Sequence, residues 1–138
     1  HVIPALLRKA VAARDAGDAN MMVWGTGTPR REFMHVDDLA DALVFVLKNY
    51  SQAAHINVGS GSDVTIAELA ATVADVVGFK GWLAFDTSRP DGTPRKLMDG
   101  AKLAAMGWSP RIGLREGLAD AYAHLQRDMA ARSGAARA

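Results

Sequence analysis

The sequence predicts an α/β fold of short strands with flanking helices. Three observations carry that expectation. Apolar residues recur at helical spacing in several segments of ten or more residues. Between these lie apolar runs of four or five residues bounded by glycine-rich turns. One helix start, Thr65-Ile-Ala-Glu68, has the pattern of a capping box, in which hydroxyl and carboxylate satisfy free amides reciprocally.

In order along the chain, Val2, Ile3, Leu6, Leu7, Ala10 and Val11 predict a first helix over Val2 to Ala16, stopped by Gly17. Pro4 falls in its first turn, where a missing N–H costs little. Met21 to Trp24 reads as a strand, ended by Gly25-Thr-Gly-Thr-Pro29, and Glu32 to Val36 as a second. Asp37 is expected to cap a helix over Leu39 to Asn49, with Leu39, Leu43 and Val46 or Leu47 on its buried side. His55 to Val58 is expected as a strand before Gly59-Ser-Gly61. The capped helix then runs to Gly78, and Trp82 to Phe85 is the last expected strand. Asp99 can cap a short helix ending at Gly107, and a final helix covers Leu114 to Ala131. The small, polar tail Arg132 to Ala138 is expected to be disordered, leaving 1–131 as the folded part.

Composition excludes several classes. The 138 residues suffice for one domain with a core, at 49% hydrophobic and 22% charged, near the average for soluble proteins. A net charge of +1 gives no global field to recruit nucleic acid or an anionic membrane. There is no cysteine, so disulfides and thiolate metal sites are excluded, which fits a reducing compartment. No apolar run approaches the ~20 residues of a membrane span. No histidines have metal-ligand spacing, so no metal is expected. The chain opens at His1, without methionine, directly into a helical pattern, so residues upstream of it are expected.

The loop Asp86-Thr-Ser-Arg-Pro-Asp-Gly-Thr-Pro-Arg-Lys96 combines two prolines and a glycine with three cations and two carboxylates. Proline lowers the entropy lost on ordering, as suits a loop that fixes cations against an anionic ligand. Arg31 can pair a phosphate bidentately, and Trp24 can offer a ring face to a base or sugar. Each has a plain alternative, a surface arginine and a core tryptophan. Arg8 and Lys9 either solvate a helix face or join Arg31, Arg89, Arg95 and Lys96 around phosphates. Neither Gly25-Thr-Gly27 nor Gly59-Ser-Gly61 has the full dinucleotide spacing, and Asp37 and Asp38 suit capping better than catalysis. His1 carries only the proton-shuttling capacity of its type.

Four segments, His1 to Lys9, Val23 to Phe33, His55 to Gly59 and Phe85 to Lys96, together resemble the C-terminal part of the GDP-L-fucose synthase family. That family belongs to the extended short-chain dehydrogenase/reductases, NAD(P)-binding Rossmann-type enzymes of the epimerase/dehydratase superfamily. The resemblance spans the chain to about residue 128. The stretch Arg31-Glu-Phe-Met-His-Val-Asp-Asp38 is shared widely among nucleotide-sugar enzymes. The Asp-Gly-Thr-Pro-Arg-Lys loop with the His-Val-Ile-Pro start is narrower.

The resemblance implies a substrate-binding portion of an NADPH-dependent enzyme. Such an enzyme epimerises GDP-4-keto-6-deoxy-D-mannose at C3 and C5 and reduces C4 to give GDP-L-fucose. It implies His1 as a cofactor contact and the epimerisation acid, and Lys9, Trp24, Arg31, Asp91 and Lys96 as substrate contacts. It also implies a cytoplasmic homodimer for the whole protein, with no nucleic acid, membrane or metal involved. The family's glycine-rich NADP fingerprint and Ser-Tyr-Lys set are absent here. Neither Tyr50 nor Tyr122 has a lysine four residues on. NADP is therefore expected to bind mainly outside this chain, which alone is expected to be inactive. Two other readings stay open: another nucleotide-sugar epimerase or dehydratase, and a non-catalytic GDP-sugar-binding fragment.

Overall fold

The computed structural model describes residues 1–135. The chain runs α1 (Val2–Ala16), β1 (Asn20–Trp24), β2 (Arg30–Glu32), α2 (Val36–Asn49), β3 (Asp63–Thr65), α3 (Ile66–Val77), β4 (Trp82–Asp86), β5 (Arg95–Lys96), α4 (Ala101–Ala105) and α5 (Leu114–Ala135). The strands form two small sheets. In one, β1 pairs in parallel with β4, Trp24 opposite Asp86. In the other, the order is β3-β2-β5, with β2 antiparallel to β3 and parallel to β5.

The main core follows helical and strand periodicity. Leu6, Leu7, Ala10 and Val11 of α1 pack with Leu69, Ala70, Val73 and Val77 of α3, beneath Met21 and Val23 of β1. Leu118 of α5 closes the cluster. Alternation along β1 sends Met21 and Val23 inward and leaves Met22 and Trp24 outside. Three of the caps expected from sequence are present. Gly17 and Gly78 end their helices in the left-handed conformation. The Thr65 hydroxyl accepts the Glu68 N–H at 3.0 Å, and the Glu68 carboxylate accepts the Thr65 N–H at 2.7 Å.

Several expectations are corrected. The strand predicted over Glu32 to Val36 lies earlier, at Arg30–Glu32, because the chain turns into α2 one residue past His35. The cap of α2 is His35, whose Nδ1 accepts the Asp37 N–H at 3.2 Å, and not Asp37. Asp38 is instead buried, its carboxylate accepting the N–H groups of Arg111 and Ile112.

The buried face of α2 is also rotated from the one expected. Leu39, Leu43 and Leu47 are 40%, 55% and 83% exposed, while Ala42 is fully buried and Val46 partly so. Polar anchors set the rotation. Asp38 holds residues 111 and 112, and the Asp41 carboxylate accepts the Trp108 indole N–H at 2.9 Å. These one-turn neighbours turn Ala42, Phe45 and Val46 toward Leu103 and Trp108.

His55 to Val58 forms no strand. Ile56 and Val58 pack instead into that second cluster, and the pairing with β2 falls to Asp63–Thr65. Finally, α5 runs through Arg132 to Ala135, so these residues are helical where a disordered tail was expected; Ala130 and Ala131 favour continuation. Residues 136–138 lie outside the described residues.

Candidate functional site

β2 reads Arg-Arg-Glu, and a strand sends alternate side chains to opposite faces. Arg30 and Glu32 therefore share one face and Arg31 takes the other. Opposite them in register, Arg95 of β5 pairs with Arg30 and Lys96 with Arg31. Asp63 of β3 stands opposite Glu32, on the face of Arg30 and Arg95.

The two faces are electrostatically unlike. On the first, the Asp63 side chain is only 5% exposed and accepts the Nε–H of Arg30 at 2.9 Å and that of Arg95 at 2.5 Å. Hydrogen bonds from Arg95 and then Arg30 hold its carboxyl below the usual range. Glu68, with its Thr65 hydrogen bonds, is likewise held low and lies 3.9 Å from Arg30. On the second face Arg31 donates one hydrogen bond, from Nη1 to the carbonyl of Arg30. Lys96 has no hydrogen bond or ion pair among the described residues. Two adjacent cations without a carboxylate between them leave positive charge open to an anion.

The loop 86–96 runs from this pair to the end of β1. Gly92 passes the Arg31 guanidinium so closely that an added Cβ would meet Nη2 at 3.0 Å. Asp91 docks on the first glycine turn. Its carboxylate accepts the Thr26 N–H at 2.9 Å and the Thr26 hydroxyl at 2.7 Å. At the loop's beginning, Asp86 accepts the Ser88 hydroxyl and N–H, and its carboxyl is held low chiefly by the Ser88 hydroxyl.

Trp24, 62% exposed, stands beside that turn. The Lys9 ammonium lies 4.7 Å from its ring centroid and the Arg89 guanidinium 5.1 Å away, both within cation–π range. Lys9 also donates to the Met22 carbonyl at 3.0 Å, which fixes its stem. Lys9 and Trp24 line a cavity of about 340 Å³ together with His1 and the apolar side chains of Leu6, Val23 and Ile66. The His1 imidazole makes no hydrogen bond or ion pair among the described residues and stands at the start of α1.

Of the six predicted site residues, His1, Lys9 and Trp24 thus meet in one cavity, and Arg31 and Lys96 stand side by side. Asp91 lies between the two groups on the loop that joins them. Asp91 is engaged with its own chain, so it holds the loop in place. Sequence reasoning missed Thr26, Asp63 and Glu32, whose carboxylate accepts the Gly61 and Met98 N–H groups, as parts of the support. Arg89 was visible as a loop cation, but its place on the Trp24 ring depends on how Asp86 turns the chain. Among the described residues, no cluster of three or more histidines and carboxylates could hold a metal ion. No helix among them is long and apolar enough to cross a membrane.

Residues 1–59 match the NAD dependent epimerase/dehydratase family. The chain superposes on a GDP-6-OMe-4-keto-L-xylo-heptose reductase from C. jejuni with a TM-score of 0.81 and 34% identity, covering 92% of this chain and 48% of that one. It superposes on a GDP-L-fucose synthetase from Naegleria fowleri with a TM-score of 0.76 and 28% identity, covering 86% and 38%. The α/β fold is therefore the one found in extended short-chain dehydrogenase/reductases of the nucleotide-sugar type.

The chain is also similar to the GDP-L-fucose synthases. It is 57% identical to GDP-L-fucose synthase 1 of Arabidopsis thaliana over 88% of its own length and 38% of the relative's. It is 50% identical to the GDP-L-fucose synthase of Escherichia coli (strain K12), over 88% and 41%. The chain spans about two fifths of the length of these curated relatives.

Proposed function

We propose that residues 1–131 form the GDP-sugar-binding part of a GDP-L-fucose synthase. The whole protein would convert GDP-4-keto-6-deoxy-D-mannose to GDP-L-fucose by 3,5-epimerisation and NADPH-dependent 4-reduction, as a cytoplasmic homodimer. The observation that carries this reading is the β2–β5 register, which sets Arg31 beside Lys96 with no carboxylate on their face. A nucleoside diphosphate supplies the missing negative charge. Arg31 would donate in parallel to two phosphate oxygens, and Lys96 would add a second charge. Lys9 and Trp24 would hold the sugar end, where His1 opens on the same cavity. Asp91 would position the nucleotide by keeping the loop on Thr26.

The dinucleotide cofactor does not fit the glycine turns of this chain. The Thr26 amide is taken by Asp91 and the Gly61 amide by Glu32, so neither turn cradles a pyrophosphate. His1 lines the cavity with an imidazole that has no partner among the described residues, and reduction is left to residues outside the chain. His1 would contribute a proton to the sugar carbon during epimerisation, on the face opposite to proton removal.

Calorimetric titration with GDP tests the reading. The chain should bind GDP saturably, and Arg31→Ala should weaken binding at least about tenfold, the scale of a lost charge-assisted contact of about 1.5–3 kcal/mol. An unchanged affinity in Arg31→Ala, or no saturable binding by the parent chain, would overturn it.

A further inference from the structure

We infer that Asp63 is a positioning residue for the anion site: it binds the two arginines on the closed face of the β3-β2-β5 sheet and thereby keeps Lys96 beside Arg31 on the open face. The inference rests on the proposed GDP-binding reading and adds to it a residue that would touch no ligand.

β5 is only two residues long and pairs with β2 alone. So short an edge strand has few ladder hydrogen bonds to hold it, and its flanks are the exposed residues 87–94 and the irregular segment 97–100. Near β5, Arg30 donates its backbone N–H to the Pro94 carbonyl at 2.8 Å. Side-chain ties must supply the rest.

Asp63 supplies the central one. Its two oxygens go to different strands, Oδ1 to Arg30 of β2 and Oδ2 to Arg95 of β5. Its own carbonyl accepts a second hydrogen bond from Arg30, from Nη2 at 2.9 Å. One nearly buried carboxylate thus spans three strands. Backbone direction does the rest: fixing the Arg95 side chain on one face of a two-residue strand fixes Lys96 on the other. Without the carboxylate, Arg30 and Arg95 would be adjacent like charges in register, which drives paired strands apart. The same pairing that engages two cations therefore exposes two others.

The test separates placement of Lys96 from general support of the fold. GDP affinity is measured for the parent chain, K96A, D63N and the double variant D63N/K96A. Thermal midpoints are taken for all four. K96A should weaken GDP about tenfold. D63N should weaken it about fivefold or more in the parent background and less than twofold in the K96A background. The thermal midpoint should fall by the same amount in both. R95A, which removes an exposed partner of the same bridge, should repeat that pattern and replaces D63N if D63N does not fold.

If D63N and R95A leave GDP affinity unchanged, or reduce it equally with and without Lys96, the positioning role is overturned while the GDP reading stands. If K96A binds GDP as the parent does, the anion-site reading falls and the Asp63 inference falls with it.

Discussion

The two glycine turns of this chain look alike in sequence and are held in opposite ways. Gly25-Thr-Gly27 and Gly59-Ser-Gly61 each present a small hydroxyl residue between glycines, and each has an amide satisfied by a carboxylate of the same chain. In the first turn that carboxylate is Asp91, from the exposed loop 86–96. In the second it is Glu32, from β2 inside a sheet. Glu32 accepts the Gly61 N–H at 2.8 Å, the Ser60 hydroxyl at 3.1 Å and the Met98 N–H at 3.0 Å. Amides that would suit a phosphate are thus closed from within. One closure can open with its loop, and the other is part of the framework.

The backbone of the first turn is the more demanding, and this gives the largest expected effect. Gly27 has φ +77, and an added Cβ would lie 2.4 Å from Phe85 Cε1 and 3.1 Å from Ala67 Cβ. Gly61 has φ +75 with nothing within 4 Å. Gly27→Ala should cost about 3 kcal/mol or more in urea unfolding, from strain and overpacking together. Gly61→Ala should cost about 1 kcal/mol, from the left-handed backbone alone. Equal costs for the two would mean that the packing against Phe85 is not what closes the first turn.

A smaller effect probes the permanence of the second closure. Glu32→Gln turns one acceptor oxygen into a donor that faces an N–H or hydroxyl donor. The loss of an acceptor at a partly buried site is worth about 1–2 kcal/mol. Because Glu32 ties both 60–61 and Met98, hydrogen exchange should quicken in both segments together. Quickening at 60–61 alone would show that the tie to Met98 is dispensable.

How much of this was legible before the structure depends on the range of the interaction. The ends of α1 and α3 were readable because the Gly17 and Gly78 caps and the Thr65–Glu68 box act within a few residues. The core stripe of α1 was readable from period alone. The face of α2 was not, because Asp38 and Asp41 bond to residues about seventy positions away. Those partners override the apolar stripe of Leu39, Leu43 and Leu47. β3 and β5 were hidden for a related reason: Asp-Val-Thr and Arg-Lys carry little strand signal, and their pairing with β2 fixes them. For the site, the residue types of Arg31 and Lys96 were visible in the sequence, and their adjacency was not. The resemblance supplied the list, and the register supplied the pairing.

The finest distinction concerns Asp91. Its partners are the exposed Thr26 N–H and hydroxyl, so water can replace the carboxylate at little cost. Asp91→Ala should shift global stability by no more than about 0.5 kcal/mol, the range of surface substitutions. The loop should nonetheless open, because its tip loses its tie to the first turn. Limited trypsin digestion reads this at Arg95 and Lys96. Cleavage there should be severalfold faster in Asp91→Ala than in the parent chain, at unchanged thermal midpoint. In Glu32→Gln the midpoint should fall. A loop cut no faster in Asp91→Ala would mean that its prolines and the β2–β5 pairing hold it unaided. Both turns would then count as permanent closures, and the contrast between them would be one of packing only.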